Sequence, residues 1–156
     1  IGTDGPGGVQ FETPKALAAA VRISWIGHGE PFVVCTGGEP LLQMDNALVD
    51  AFHAEGFEIA VETNGTIAPP SGIDHICVSP KAGAALVLRS GQELKLVYPQ
   101  NGLVPKDFEC LGFDAFLLQP RDGPDQKENT TVCVDYCLAN PVWRLSLQTH
   151  KFIGIA

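Results

Sequence analysis

Five consecutive residues, Thr36-Gly37-Gly38-Glu39-Pro40, have the composition of a ligand-binding turn. They follow a short apolar, β-branched run at 32–35 that predicts a buried parallel strand, and they precede 41–55, where apolar residues recur at helical spacing. Glycines at the carboxyl end of a strand let the backbone approach a ligand that a Cβ would exclude. Sites in α/β proteins are built at this end of the strands. The alternative is a tight strand-to-helix turn that binds nothing.

Other polar groups also fall directly after predicted strands. Glu62 and Asn64 offer a carboxylate and an amide that can pair with the N–H and C=O groups of a heterocycle, although Asn64-Gly65 alone is equally typical of a plain turn. Ser79 and Lys81 suit a carboxylate, or form a solvated turn. Because parallel strands end on one face, we expect these groups to converge on one site.

Two further candidates have plain alternatives. Arg121 and Asp122 follow another predicted strand and can also form a surface ion pair with each other. His150 and Gln148 have the same parity in a strand, which places them on one side, whereas a histidine near the end of a chain is often structural.

The periodicity and capping signals predict an α/β domain covering 1–156. Thr13 and Pro14 have the pattern of an N-cap and a first helical residue. Gly56 is typical of the residue that follows the end of a helix. The segment 82–91 is compatible with a helix or a loop. The predicted helices cover 14–25, 41–55 and 130–139, and the predicted strands cover 32–35, 58–62, 73–78, 93–98, 113–118 and 143–147.

Composition excludes several classes of protein. A net charge of −8 over 156 residues, without a basic cluster, argues against binding nucleic acid or an anionic membrane. No apolar run approaches the roughly 20 residues of a membrane span. Five irregularly spaced cysteines favour a reducing cytoplasm over a disulfide framework. Cys133 and Cys137 share a helix face, but a cluster needs a third thiolate nearby, so buried structural thiols are expected.

Six motifs together resemble the 7-carboxy-7-deazaguanine synthases, a family of radical S-adenosylmethionine enzymes, and occur in that family's order. Besides the turn at 36–40 they are Gly2-Thr3-Asp4-Gly5-Pro6-Gly7-Gly8, Glu62-Thr63-Asn64-Gly65, Ser79-Pro80-Lys81, Gln119-Pro120-Arg121-Asp122-Gly123-Pro124 and Leu147-Gln148-Thr149-His150-Lys151. The resemblance implies a carbon–nitrogen lyase that converts 6-carboxy-5,6,7,8-tetrahydropterin to 7-carboxy-7-deazaguanine with loss of ammonia, on the path to queuosine. It also implies S-adenosylmethionine, a 4Fe–4S cluster and Mg²⁺ as cofactors.

The resemblance also assigns site residues. The residues implied to bind S-adenosylmethionine are Gly37, Gly38, Glu39, Ser79, Pro80, Lys81, Gln119, Pro120, Arg121 and Asp122. Those implied to bind substrate are Thr36, Glu62, Asn64, Gln148, His150 and the terminal carboxylate of Ala156, where the family often has proline.

The chain departs from the family at its beginning. The family's three cluster cysteines precede the glycine-rich segment, but the first cysteine here is Cys35. We therefore expect an abbreviated (βα)6-type barrel lacking its first strand, no metal ligands, and no cluster or turnover in the chain as given. The implied partners are an electron donor such as flavodoxin and a second copy in a homodimer. The alternatives are another radical S-adenosylmethionine activating enzyme, or a non-catalytic nucleotide-binding domain.

Overall fold

The computed structural model describes residues 9–154, which contain six β-strands, four α-helices and two short 3₁₀ helices, with no helix between β2 and β3 or between β3 and β4. The strands are β1 (Phe32–Cys35), β2 (Glu58–Thr63), β3 (His75–Val78), β4 (Ser90–Tyr98), β5 (Gly112–Pro120) and β6 (Trp143–Leu145). The α-helices are α1 (Pro14–Ser24), α2 (Asn46–Ala54), α3 (Gln126–Ala139) and α4 (Thr149–Phe152), and the 3₁₀ helices are Pro40–Leu42 and Pro105–Phe108. The predicted α/β class with parallel strands is confirmed.

The chain divides into two compact units, of which the first comprises residues up to 63 together with 67–76. Within it β1 and β2 pair in parallel, with Val33 opposite Ile59. Phe52 of α2 and Ile59 of β2 are almost fully buried in the core of this unit. Helix α1 begins as its sequence predicts, because the Thr13 hydroxyl oxygen accepts a hydrogen bond from the Ala16 N–H at 3.1 Å.

The second unit comprises residues 64–66 and those from 77 onward. It contains the last two residues of β3 together with β4, β5 and β6, which pair in parallel in chain order, so the carboxyl ends of these strands lie along one edge. Helix α3 packs against β5 and β6. An aromatic cluster joins these elements, with ring centroids of Phe116 and Trp143 at 5.3 Å and those of Tyr136 and Trp143 at 6.4 Å.

The predicted continuous helix over 41–55 is wrong. The chain instead forms the 3₁₀ helix Pro40–Leu42, turns, and begins α2 at Asn46. Asp45 causes the new start, because its backbone is extended and its carboxylate accepts the Leu48 N–H at 2.9 Å. The ambiguous segment 82–91 contains no helix, and its last two residues, Ser90 and Gly91, begin β4.

The predictions for β1 and for the last strand also need correction. Strand β1 is not buried, since Phe32 and Val34 on one of its faces are 43% and 47% exposed. Strand β6 is shorter than predicted, and the chain after it turns into α4. Among the described residues, no helix has the length and apolar character needed to span a membrane.

Candidate functional site

The Gly-Gly turn, residues 36–39, leaves the carboxyl end of β1 in the first unit. Gly37 and Gly38 have φ values of +79° and +53°, a region that L side chains rarely adopt. A Cβ built on Gly37 meets nothing within 4 Å. Backbone conformation rather than crowding therefore requires glycine at position 37, and the turn exposes its main chain at the end of the strand.

Glu39 is the last residue of the turn, and only 7% of its surface is exposed. Its Oε1 accepts the Leu41 N–H at 3.1 Å and the Thr63 hydroxyl at 2.7 Å. The first bond caps the 3₁₀ helix that follows. This carboxylate oxygen thus supports the turn, and the implied part of Glu39 in cofactor binding stays a prediction.

On the other face of β2, two predicted substrate residues meet. The Thr36 hydroxyl lies 3.4 Å from Glu62 Oε2, across the ends of β1 and β2. Successive strand residues point to opposite faces, so Glu62 and Thr63 reach the Gly-Gly turn from different sides. Thr36 is exposed and Glu62 is half-buried, so a hydroxyl and a carboxylate are accessible to a ligand there.

The other predicted residues lie in the second unit, where Asn64 begins a tight turn. Its Oδ1 accepts the Thr66 N–H at 2.8 Å, and the Gly65 carbonyl accepts the amides of Val87 and Leu88 at 2.9 and 3.0 Å. The side-chain oxygen of Asn64 thereby stabilises the turn expected from its sequence.

Ser79, Pro80 and Lys81 follow β3. Lys81 Nζ donates to Ser79 Oγ at 3.0 Å, so the predicted ammonium and hydroxyl pair is in contact. Pro80 is buried, whereas Lys81 is exposed. A serine hydroxyl that accepts one bond keeps its own hydrogen to donate, so the pair can hold a carboxylate with two donors.

Gln119 and Pro120 end β5, and the chain then enters the loop to α3. Arg121 is fixed through its backbone, since its N–H donates to the Tyr98 carbonyl at 2.9 Å and its carbonyl accepts Asn129 Nδ2 at 2.9 Å. Asn129 is only 6% exposed, so its amide is an internal anchor of the loop.

Asp122 forms its ion pair with Lys151 of α4, and not with Arg121 as the alternative reading of the sequence had it. The Lys151 ammonium and the Gly123 N–H hold the pKa of Asp122 below its ordinary value. The contact ties the loop after β5 to the short helix after β6.

The structure removes the strand argument that placed Gln148 and His150 on one side. Gln148 precedes α4 and His150 lies within it, so the strand parity that placed both on one side does not apply. His150 is exposed and Gln148 half-buried. The motif at 2–8 and Ala156 lie outside the described residues. Convergence of all the predicted residues on one site stays a prediction.

Three structural supports were missed by the sequence reasoning: Thr63, Asn129 and Lys151. Thr63 and Lys151 lie inside quoted motifs, so their position beside candidate residues was an available signal. Asn129 has no local signal, because it occurs in a helix and reaches a carbonyl eight residues earlier.

The cysteines show no arrangement typical of a metal site. Among residues 9–154, no three His, Cys, Asp or Glu side chains are placed to hold a metal ion. Cys133 is buried and its thiol lies 3.4 Å from the Tyr98 carbonyl oxygen. Burial, with a smaller effect of Cys137, raises the pKa of Cys133 to about 11, so this thiol stays protonated at neutral pH.

Parallel strands with a glycine turn and polar groups at their carboxyl ends are typical of α/β proteins that bind ligands at this end of the sheet. The chain is 58% identical over 156 residues to the 7-carboxy-7-deazaguanine synthases of Caulobacter vibrioides and Bradyrhizobium diazoefficiens, covering 99% of this chain and 74% of each relative. It belongs to the 7-carboxy-7-deazaguanine synthase family.

A solved structure agrees. The crystal structure of QueE from Escherichia coli matches with a TM-score of 0.62 and 27% identity, over 85% of this chain and 61% of that chain. No protein-family model matches the chain. The predicted family, enzyme type and fold class are confirmed by these relatives.

Proposed function

We propose that this chain forms the larger part of a radical S-adenosylmethionine lyase that converts 6-carboxy-5,6,7,8-tetrahydropterin to 7-carboxy-7-deazaguanine and ammonia. The observation that carries the proposal is the identity of 58% over 99% of the chain to synthases of that name. The product and ammonia together contain the atoms of the substrate, so the reaction needs no net oxidant or reductant.

The residues present fit S-adenosylmethionine. The exposed backbone of the Gly-Gly turn, with Gly37 and Gly38 at positive φ, can approach the methionine end. The contacting pair of Ser79 and Lys81 supplies donors for a carboxylate. The loop at 119–122, anchored by Asn129, is the candidate contact for the adenosine region. When bound, the cofactor and its 4Fe–4S cluster supply the radical chemistry.

The substrate is assigned to the face of the first unit that carries Thr36 and Glu62. Thr36 offers a hydroxyl and Glu62 a carboxylate, which suit the N–H donors along one edge of a pterin. Asn64, Gln148, His150 and the Ala156 carboxylate are the other proposed substrate ligands. Mg²⁺, an electron donor such as flavodoxin, a homodimer and a cytoplasmic location belong to the same proposal.

Glu62→Gln tests the substrate assignment in the full-length enzyme, reconstituted anaerobically and assayed for product and ammonia. Loss of a charge-assisted hydrogen bond, about 1.5–3 kcal/mol, should raise KM for the pterin about ten- to a hundred-fold. The matched control is Glu58→Gln, which removes the same charge at the amino end of the same strand. We expect the control to keep its KM.

Two results would contradict the proposal in different ways. If the reconstituted wild-type enzyme forms no product from the tetrahydropterin, the proposed reaction is wrong. If product forms and both variants keep the wild-type KM, the reaction stands, and Glu62 is not a substrate ligand.

A further inference from the structure

Thr63 is the last residue of β2 and is 2% exposed. Its hydroxyl donates to Glu39 Oε1 at 2.7 Å, the usual length for a bond between two oxygens. Glu39 is itself buried, and a hydrogen bond between buried groups is costly to lose because water does not replace the missing partner. The contact therefore joins the end of β2 to the Gly-Gly turn after β1.

The same oxygen of Glu39 organises the backbone that follows. It accepts the Leu41 N–H at 3.1 Å, and Glu39 is the extended residue from which the 3₁₀ helix begins. Thr63 thus holds the side chain that determines where this helix starts. Without the Thr63 bond the carboxylate would be held less firmly against the Leu41 N–H, and the cap would be weakened.

The Gly-Gly turn needs such a restraint because Gly37 and Gly38 have the largest conformational freedom of any residue type. Its first end is held by the β1–β2 ladder, in which Cys35 lies opposite Val61. Its second end is held by the Glu39 carboxylate. Two fixed ends define the path of the two glycines between them.

We propose that Thr63 is a positioning residue for the Gly-Gly turn. Its hydroxyl acts through Glu39 and sets the backbone conformation in which the turn binds the methionine end of S-adenosylmethionine. The inference rests on the proposed function, which supplies the ligand. Two neighbouring residues of β2 would then have different roles. Glu62 faces the substrate, and Thr63 positions the Gly-Gly turn from the buried face of the strand.

Thr63→Val removes the hydroxyl while keeping a β-branched side chain of the same shape. In the full-length, anaerobically reconstituted enzyme, we expect S-adenosylmethionine affinity, measured by calorimetry, to fall about tenfold. Thr63→Ser keeps the hydroxyl and should restore the affinity. Hydrogen exchange at the Leu41 amide should accelerate in Thr63→Val and return to the wild-type rate in Thr63→Ser.

Thr130→Val is the matched control. The Thr130 hydroxyl donates a bond of the same length, 2.7 Å, to the Gln126 carbonyl within α3 of the second unit. Its removal should lower the midpoint of thermal unfolding without changing cofactor affinity. A similar loss of affinity in this control would assign the effect to general stability and overturn the proposal.

The outcomes distinguish a failure of the proposed function from a failure of the proposed role of Thr63. Failure of the wild-type enzyme to bind S-adenosylmethionine overturns the proposed function and the role of Thr63 with it. Normal binding by both the wild type and Thr63→Val overturns the role of Thr63 alone. If Thr63→Val does not fold, Thr63→Cys keeps a weak donor of similar size. Its affinity should fall between those of Thr63→Ser and the tenfold loss, and an unchanged affinity overturns the proposal.

Discussion

Replacing Gly65 by alanine should destabilise the second unit more than the same change at a comparable glycine. Gly65 has φ +76°, and a Cβ built on it lies 2.7 Å from both Leu86 Cδ1 and Val78 Cγ1. Two costs follow. The left-handed backbone disfavours any L side chain, and the added methyl group overlaps two apolar side chains.

The magnitude follows from those two costs. Alanine at positive φ costs about 1–2 kcal/mol, and forcing a methyl group into a filled space costs about 1–3 kcal/mol. Gly65→Ala should therefore lower the free energy of unfolding by about 2–5 kcal/mol. The overlap with Val78 is the harder of the two to relieve, because its branched side chain rotates less readily than the tip of Leu86.

Gly83→Ala is the control that isolates the second cost. Gly83 belongs to the same unit and has φ +78°, but its Cβ would meet nothing within 4 Å. Only the backbone cost of about 1–2 kcal/mol applies there. The reduced entropy of the unfolded chain affects both variants equally and cancels in their difference.

Urea unfolding followed by circular dichroism measures both variants. We expect Gly65→Ala to be the less stable of the two by about 1–3 kcal/mol, the cost of the overlap. Equal losses at the two positions would refute the reasoning, because the packing of Gly65 against Val78 and Leu86 would then have no energetic effect.

Two further predictions concern the first unit. Gly38→Val should weaken S-adenosylmethionine binding in the full-length enzyme far more than Gly56→Val, which changes another positive-φ glycine away from the turn; equal cofactor affinity in a folded Gly38→Val would remove Gly38 from the site. The hydrogen bonds from His53 and the Ile59 N–H hold the pKa of Asp74 below its ordinary value of 3.8. A carboxyl group with a lowered pKa adds stability above that ordinary value and loses it as the pH falls further. Asp74→Asn should therefore be less stable than the wild type at pH 7 and differ less from it at pH 2 in thermal unfolding, and a constant difference would contradict this.

The helices show which parts of the fold a sequence can predict. Helix α1 was predicted well because its signals are local: Thr13 caps it and Pro14 fits the first turn. The single helix over 41–55 was wrong although its apolar periodicity was real. Periodicity reports which residues face the core, and it does not detect a residue such as Asp45 whose carboxylate caps a new start.

The site shows the same limit at the level of side chains. The sequence placed its candidates after strands, and the parallel registers of the second unit put those strand ends along one edge. It paired Ser79 with Lys81, which are near each other in the chain, but it did not predict partners that are distant in the chain. Asp122 pairs with Lys151, 29 residues later, and not with its neighbour Arg121.

Glu39 shows that a sequence motif does not by itself give the structural role of each of its residues. Its place in the Gly-Gly turn implied a residue beside the cofactor, yet its Oε1 is engaged inside the protein by Leu41 and Thr63. A buried carboxylate needs such donors, and Thr63 can supply one only because it lies on the buried face of β2. The need of the buried Glu39 carboxylate for hydrogen-bond donors therefore also favours a hydroxyl at position 63, at the end of the neighbouring strand. A residue of a binding motif can thus also hold the turn in place, and a cofactor contact of Glu39 stays a prediction.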